Sequence, residues 1–168
     1  PRMPHAAGGD GECKAARGRS GGGACAVGCG SRCEHGPDAF ARENALARVL
    51  APKLDDGSLQ LFCVSTVDEE SFYASNTHPR ARVERYLQWE RYLLNEVVPF
   101  IKQKSGHDTA GVTGCSFGAY HSFTMALRHP DVFTSCVCMG GAFDLMRILK
   151  GWVDEAYLLS PTHFLPNL

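Results

Sequence analysis

The chain has 168 residues, a net charge of −1 and a mean hydropathy of −0.18. Acidic and basic residues are interspersed, which argues against a nucleic-acid or anionic-membrane partner. No apolar run approaches the about 18 residues that a membrane span needs.

Eight cysteines divide into two sets. Cys13, Cys25, Cys29 and Cys33 fall in the first forty residues. Cys63, Cys115, Cys136 and Cys138 stand in apolar, strand-like or turn contexts, where cysteine behaves as a small hydrophobe. The second set reads as reduced and buried, which suits a cytoplasmic protein.

Residues 1–37 are dominated by Gly, Ala, Arg and Cys, with little Leu, Ile, Phe or Tyr and no helical or strand periodicity. Such a segment buries too little apolar surface to offset its ordering entropy, so the expectation is a disordered, low-complexity leader. Cys25, Cys29, Cys33 and His35 could be read as zinc ligands. Their spacing, Cys-x3-Cys-x3-Cys-x-His, does not match the paired knuckles of structural zinc sites, and no metal or other cofactor is expected.

From residue 38 to 168 the composition is that of a folded domain. Phe40, Ala45, Leu46, Val49 and Leu50 recur at helical spacing, and Pro52 with Asp55-Asp56-Gly57 closes the segment. The apolar run Leu59–Ser65 suits a buried parallel strand. Val67–Arg80 is polar and reads as a loop containing Phe72 and Tyr73. A helix over Ala81–Lys104 follows, with Val83, Tyr86, Leu87, Leu93, Leu94 and Val97 on its apolar stripe and Pro99 kinking or ending it. A strand at Thr109–Thr113, a helix at Ala119–Arg128 and a buried strand at Val132–Met139 come next. Asp144–Trp152 reads as a short helix or turn, and Glu155–Leu168 mostly as loop. Alternating strands and helices imply a largely parallel sheet with right-handed crossovers.

The stretch that carries chemistry is Gly114-Cys115-Ser116-Phe117-Gly118. Gly-x-Ser-x-Gly between a strand and a helix is the nucleophile elbow of α/β-hydrolases. Gly114 and Gly118 leave room for a turn too tight for a nearby Cβ. The strained serine then holds its hydroxyl clear of the sheet, at a helix N-terminus that favours a developing anion. Ser116 is the candidate nucleophile, and the N–H of Phe117 the candidate oxyanion donor. Cys115 precedes the exposed position of the elbow and is expected to be buried and inert.

Three histidines follow the serine. His121 lies on the elbow helix and reads as a packing residue. His129 stands at the far end of that helix. His163 has the right chain order for a base but sits in a loop. Asp144, after the last strand, reads as structural, and Asp154 and Glu155 as a solvated face. His78, Arg80 and Arg91 are expected to form surface ion pairs with carboxylates such as Glu90 and Glu96.

From about Phe40 onward the chain resembles the putative-esterase family of α/β-hydrolases, relatives of esterase D and S-formylglutathione hydrolase. The residues that carry the resemblance are Gly114 through His121, Ala126-Leu127-Arg128-His129-Pro130-Asp131-Val132-Phe133, Gly140 through Leu145, and the Ser160-Pro161 to Leu168 tail. His78-Pro79-Arg80 and Glu90 through Glu96 add to it. The resemblance implies an α/β fold in which Leu59–Ser65 is the fourth strand, the strand through Gly111 the fifth and Val132–Met139 the sixth. The family has three strands before Phe40 and two more, with a final helix, after Leu168. It carries its triad acid and histidine beyond Leu168, and its second oxyanion donor on the loop after the third strand. The expectation is a partial copy of the fold: an esterase-like serine hydrolase for a small ester or thioester, prone to self-association through open sheet edges. The alternative is a catalytically silent remnant that serves as a binding module.

Overall fold

The computed structural model describes residues 14–16, 24–30, 39–151 and 153–167. Five strands form one sheet: β1 (Lys14–Ala16), β2 (Ala24–Gly30), β3 (Leu59–Ser65), β4 (Ala110–Cys115) and β5 (Phe133–Met139), in the order β1-β3-β2-β4-β5. The short β1 runs antiparallel to β3, and every other pairing is parallel.

Two of these strands come from the segment expected to be a leader. Ala24–Gly30 is a central strand, with Val27 opposite Phe62 on one side and Val112 on the other. A strand of Ala, Cys and Gly with a single β-branched residue has little intrinsic β preference. Its conformation is set by pairing on both edges, which the periodicity of the segment does not report. The rest of residues 1–37, Cys33 and His35 included, lies outside the described residues.

The register separates the two faces of the sheet. Leu61, Ala26, Gly111 and Ser135 stand in line on one face, and Phe62, Val27, Val112 and Cys136 on the other. α1 (Ala39–Asp55) covers the first face over β3, where Leu54 meets Leu61 and Cys63. α2 (Pro79–Tyr92), α3 (Val98–Ser105) and α4 (Phe117–Arg128) follow on the second face. There the main core collects Phe72, Tyr86, Trp89, Phe117 and Tyr120 over Val27, Phe62 and Val112.

The predicted helix over residues 81–104 passes through Pro99 instead of stopping. Leu93–Val97 widens into a π-helical turn between α2 and α3. Proline lacks the N–H for an i→i−4 bond and crowds the carbonyl of residue i−4, here Asn95. The wider turn relieves both problems. Gly106, at φ +75, then ends α3 in the left-handed cap.

β5 departs from the expected fully buried strand. Thr134, Ser135, Val137 and Met139 are exposed, Val137 at 62% and Met139 at 46%. Among the described strands β5 pairs only with β4, and α1 does not extend over this end of the first face. The tail is helical rather than looped. After α5 (Leu145–Leu149) come a 3-10 turn at Asp154–Leu159, α6 (Pro161–Phe164) and a last turn at Leu165–Asn167. Ala156, Leu159 and Phe164 bury themselves beneath it. The Tyr120 hydroxyl donates to the Leu159 carbonyl at 2.8 Å, tying the tail to α4.

Candidate functional site

Ser116 joins β4 to α4 with φ 56 and ψ −120, a conformation that L-residues adopt only under constraint. The constraint is visible on both sides. A Cβ added to Gly114 would lie 2.2 Å from the Gly118 carbonyl oxygen and 2.3 Å from its carbon, so this backbone crossing requires glycine. The Ser116 N–H donates to the Met139 carbonyl at 2.8 Å, fastening the turn to the end of β5. Ser116 is exposed, and no side-chain hydrogen bond holds its hydroxyl among the described residues.

The topology explains why this position is open. The chain leaving β2 passes through α1 on one face of the sheet, whereas the chain leaving β4 passes through α4 on the other. At such a switch point the loops diverge and leave a crevice at the C-terminal strand ends. Gly114 is paired with Cys29 there, one residue before β2 ends. Phe117 opens α4, so its N–H has no intrahelical acceptor and faces the positive end of the helix dipole. The loop after β2, residues 31–38, lies outside the described residues.

Each of the three histidines beyond Ser116 is held by a carboxylate. His121 Nε2 lies 2.7 Å from Asp68 Oδ1, with His121 at 0% exposure and Asp68 also buried. Aromatic rings enclose it: Phe72, Tyr86, Trp89, Phe117 and Tyr120 all lie with centroids between 4.8 and 6.4 Å of its ring. Its packing role is as the sequence suggests, whereas the buried partner fifty-three residues away could not be read from it. His129 Nε2 lies 2.7 Å from Glu90 Oε1, which also accepts from Arg128 Nε at 3.0 Å and Nη2 at 2.9 Å. Glu90 is therefore a buried anchor between α2 and the end of α4, not the surface partner expected. His163 Nε2 lies 3.1 Å from Asp144 Oδ1, both one-third exposed. Asp144 also accepts from the Arg147 N–H and so caps α5. Arg80 forms an exposed pair with Glu155 at 3.3 Å, as a surface reading implies.

Cys115 is exposed, contrary to the expectation that it is buried. It is the last residue of β4 and stands opposite Met139 on the uncovered part of the first face. Among the described residues no cluster of His, Cys, Asp or Glu could hold a metal ion, and no helix is long and apolar enough to cross a membrane.

The model of the family described as Putative esterase matches residues 33–158. The chain belongs to that family. Among solved structures it is similar to an S-formylglutathione hydrolase from Agrobacterium tumefaciens, at 20% identity and a TM-score of 0.52, covering 75% of this chain and 49% of that one. It is also similar to the ancestral haloalkane dehalogenase AncHLD2, at 16% identity and a TM-score of 0.47, covering 84% and 43%. No curated protein matches significantly. The chain thus spans about half the length of the hydrolase it resembles in structure, and the first of these likenesses, with the family match, establishes an α/β-hydrolase fold.

Proposed function

We propose that this chain carries the nucleophile of an esterase-type serine hydrolase. Ser116 attacks the carbonyl carbon of a small carboxylic ester or thioester; the alcohol or thiol leaves, and water releases the acyl group from the serine. The Phe117 N–H, with the end of α4 behind it, stabilises the oxyanion of the tetrahedral intermediate. Gly114 and Gly118 are what permit that geometry. The observation that carries the proposal is the positive φ of Ser116 held over the Gly114–Gly118 backbone crossing. Membership of the Putative esterase family supports the same chemistry. Cys115 and Cys138, neither in a disulfide among the described residues, agree with a reducing, cytoplasmic setting.

The proposal assigns a nucleophile and one oxyanion donor. His121 is sealed in the core, and His129 is bound at the far end of α4. A serine hydroxyl with no general base to take its proton is a weak nucleophile. Slow turnover is therefore the expectation for this polypeptide. Comparing hydrolysis of a short-chain aryl ester and its thioester analogue by the wild type and by Ser116→Ala tests it. Turnover above background that disappears in Ser116→Ala supports the proposal. Equal rates for the two proteins favour the silent binding module instead.

A further inference from the structure

Residues 66–78, between β3 and α2, cross the C-terminal end of the sheet to reach the first turn of α4, and buried polar groups fix them in place. Asp68 accepts from the Thr66 hydroxyl at 2.6 Å and meets His121 of α4 at 2.7 Å. Arg82 of α2, also buried, donates from Nε to the Ser71 carbonyl at 3.1 Å and from Nη2 to the Phe72 carbonyl. Burial pushes the Arg82 pKa down, the mark of a cation taken out of water. The Tyr73 N–H donates to the Asp68 carbonyl at 2.8 Å.

This scaffolding sends two adjacent rings in opposite directions. Phe72 goes into the core at 1% exposure, 5.7 Å from the Phe117 ring. Tyr73 stays 41% exposed, its ring lying over Phe117 at 5.2 Å and 30°. Phe117 is the residue after Ser116, and its N–H is the proposed oxyanion donor. An exposed aromatic ring thus packs on the residue that follows the nucleophile, carried by a segment whose backbone is held by a buried Arg and which a buried Asp–His pair ties to α4.

We propose that Tyr73 is a specificity-determining residue, its ring forming the wall of the Ser116 crevice on which a planar, apolar substituent of the ester packs. The assignment rests on Ser116 being the nucleophile. A ring resting on Phe117 offers a flat apolar face to a ligand, and aromatic pairs gain from offset or edge contacts beyond the area they bury. The preferred substrates are therefore aryl-bearing or similarly flat esters over compact alkyl ones.

The test uses the whole chain and two fluorophosphonates that differ only in a phenyl or an ethyl group on phosphorus. In labelling, the Ser116 Oγ–P bond forms, the P–F bond breaks, and fluoride departs while the serine proton goes to solvent. The wild type reacts faster with the phenyl compound. Tyr73→Leu, which keeps an apolar cover on Phe117 without a flat ring, lowers the phenyl-to-ethyl rate ratio by about threefold to tenfold. Tyr73→Phe leaves that ratio within about twofold. Tyr73→Met replaces the leucine variant if near-ultraviolet circular dichroism shows that variant to be unfolded. An unchanged ratio in a folded variant that still labels at Ser116 overturns the role of Tyr73 alone. No labelling of the folded wild type by either compound overturns the nucleophile and, with it, this assignment.

Discussion

Asp68 and His121 meet at 2.7 Å inside the protein, both side chains closed off from solvent. The pair joins the segment after β3, which carries Tyr73, to the helix after the elbow. Removing one partner of such a pair leaves the other buried and uncompensated, at a cost of about 3–5 kcal/mol. Asp68→Ala should lose that much in urea denaturation. A loss below about 1 kcal/mol, the range of exposed pairs, would contradict a structural role.

Gly114 and Gly106 separate two reasons for keeping glycine. Gly106 has φ +75 and nothing within 4 Å of an added Cβ, so Gly106→Ala carries only the left-handed penalty of about 1–2 kcal/mol. At Gly114 the added carbon would strike the Gly118 backbone, which cannot turn aside as a side chain would. Gly114→Ala should cost about 3 kcal/mol or more and abolish phosphonate labelling of Ser116. Chemical denaturation of the two variants side by side checks the difference.

Tyr120 sets an alkaline limit. Burial pushes its phenol well above the ordinary value, since the anion cannot be solvated there. A group whose folded pKa is raised contributes stability below its unfolded pKa, about 10, and loses it as pH rises through the folded value. Unfolding midpoints in urea should therefore fall above about pH 10. Tyr120→Phe flattens that decline, while forfeiting about 0.5–1.5 kcal/mol at neutral pH with the bond to Leu159. Equal alkaline slopes for the two proteins would remove Tyr120 as the cause.

The outer end of the first sheet face is where association is expected. Val137 and Met139 lie exposed there beside Cys115, on the strand that pairs on one side only among those described. Exposed apolar strand edges pair with other chains, and lysine blunts them. Sedimentation velocity should show the wild type dimerising or aggregating as concentration rises. Val137→Lys combined with Met139→Lys should restore the monomer. A strictly monomeric wild type would contradict this.

How much of this was legible depended on whether a residue's role is local. The elbow, the Leu59–Ser65 strand and α4 announce themselves because their glycines and apolar runs act on near neighbours. β2 does not, since Ala24–Gly30 acquires its conformation from Phe62 and Val112 on either side. Pro99 marks a disturbance in the helix, but the compensation lies upstream in Leu93–Val97. Asp68 looks like any loop carboxylate until the fold brings His121 against it. Cys115 and the outer face of β5 are apolar in sequence yet exposed, because burial depends on a covering layer that a strand's own pattern cannot report.

The proposed function requires the Ser116 hydroxyl to act as a nucleophile. The most direct measurement is mass spectrometry of the folded chain after treatment with an alkyl fluorophosphonate. The expected result is one phosphonyl group on the peptide containing Ser116, absent from Ser116→Ala. A folded wild type that stays unmodified, or a Ser116→Ala protein labelled to the same extent, contradicts it.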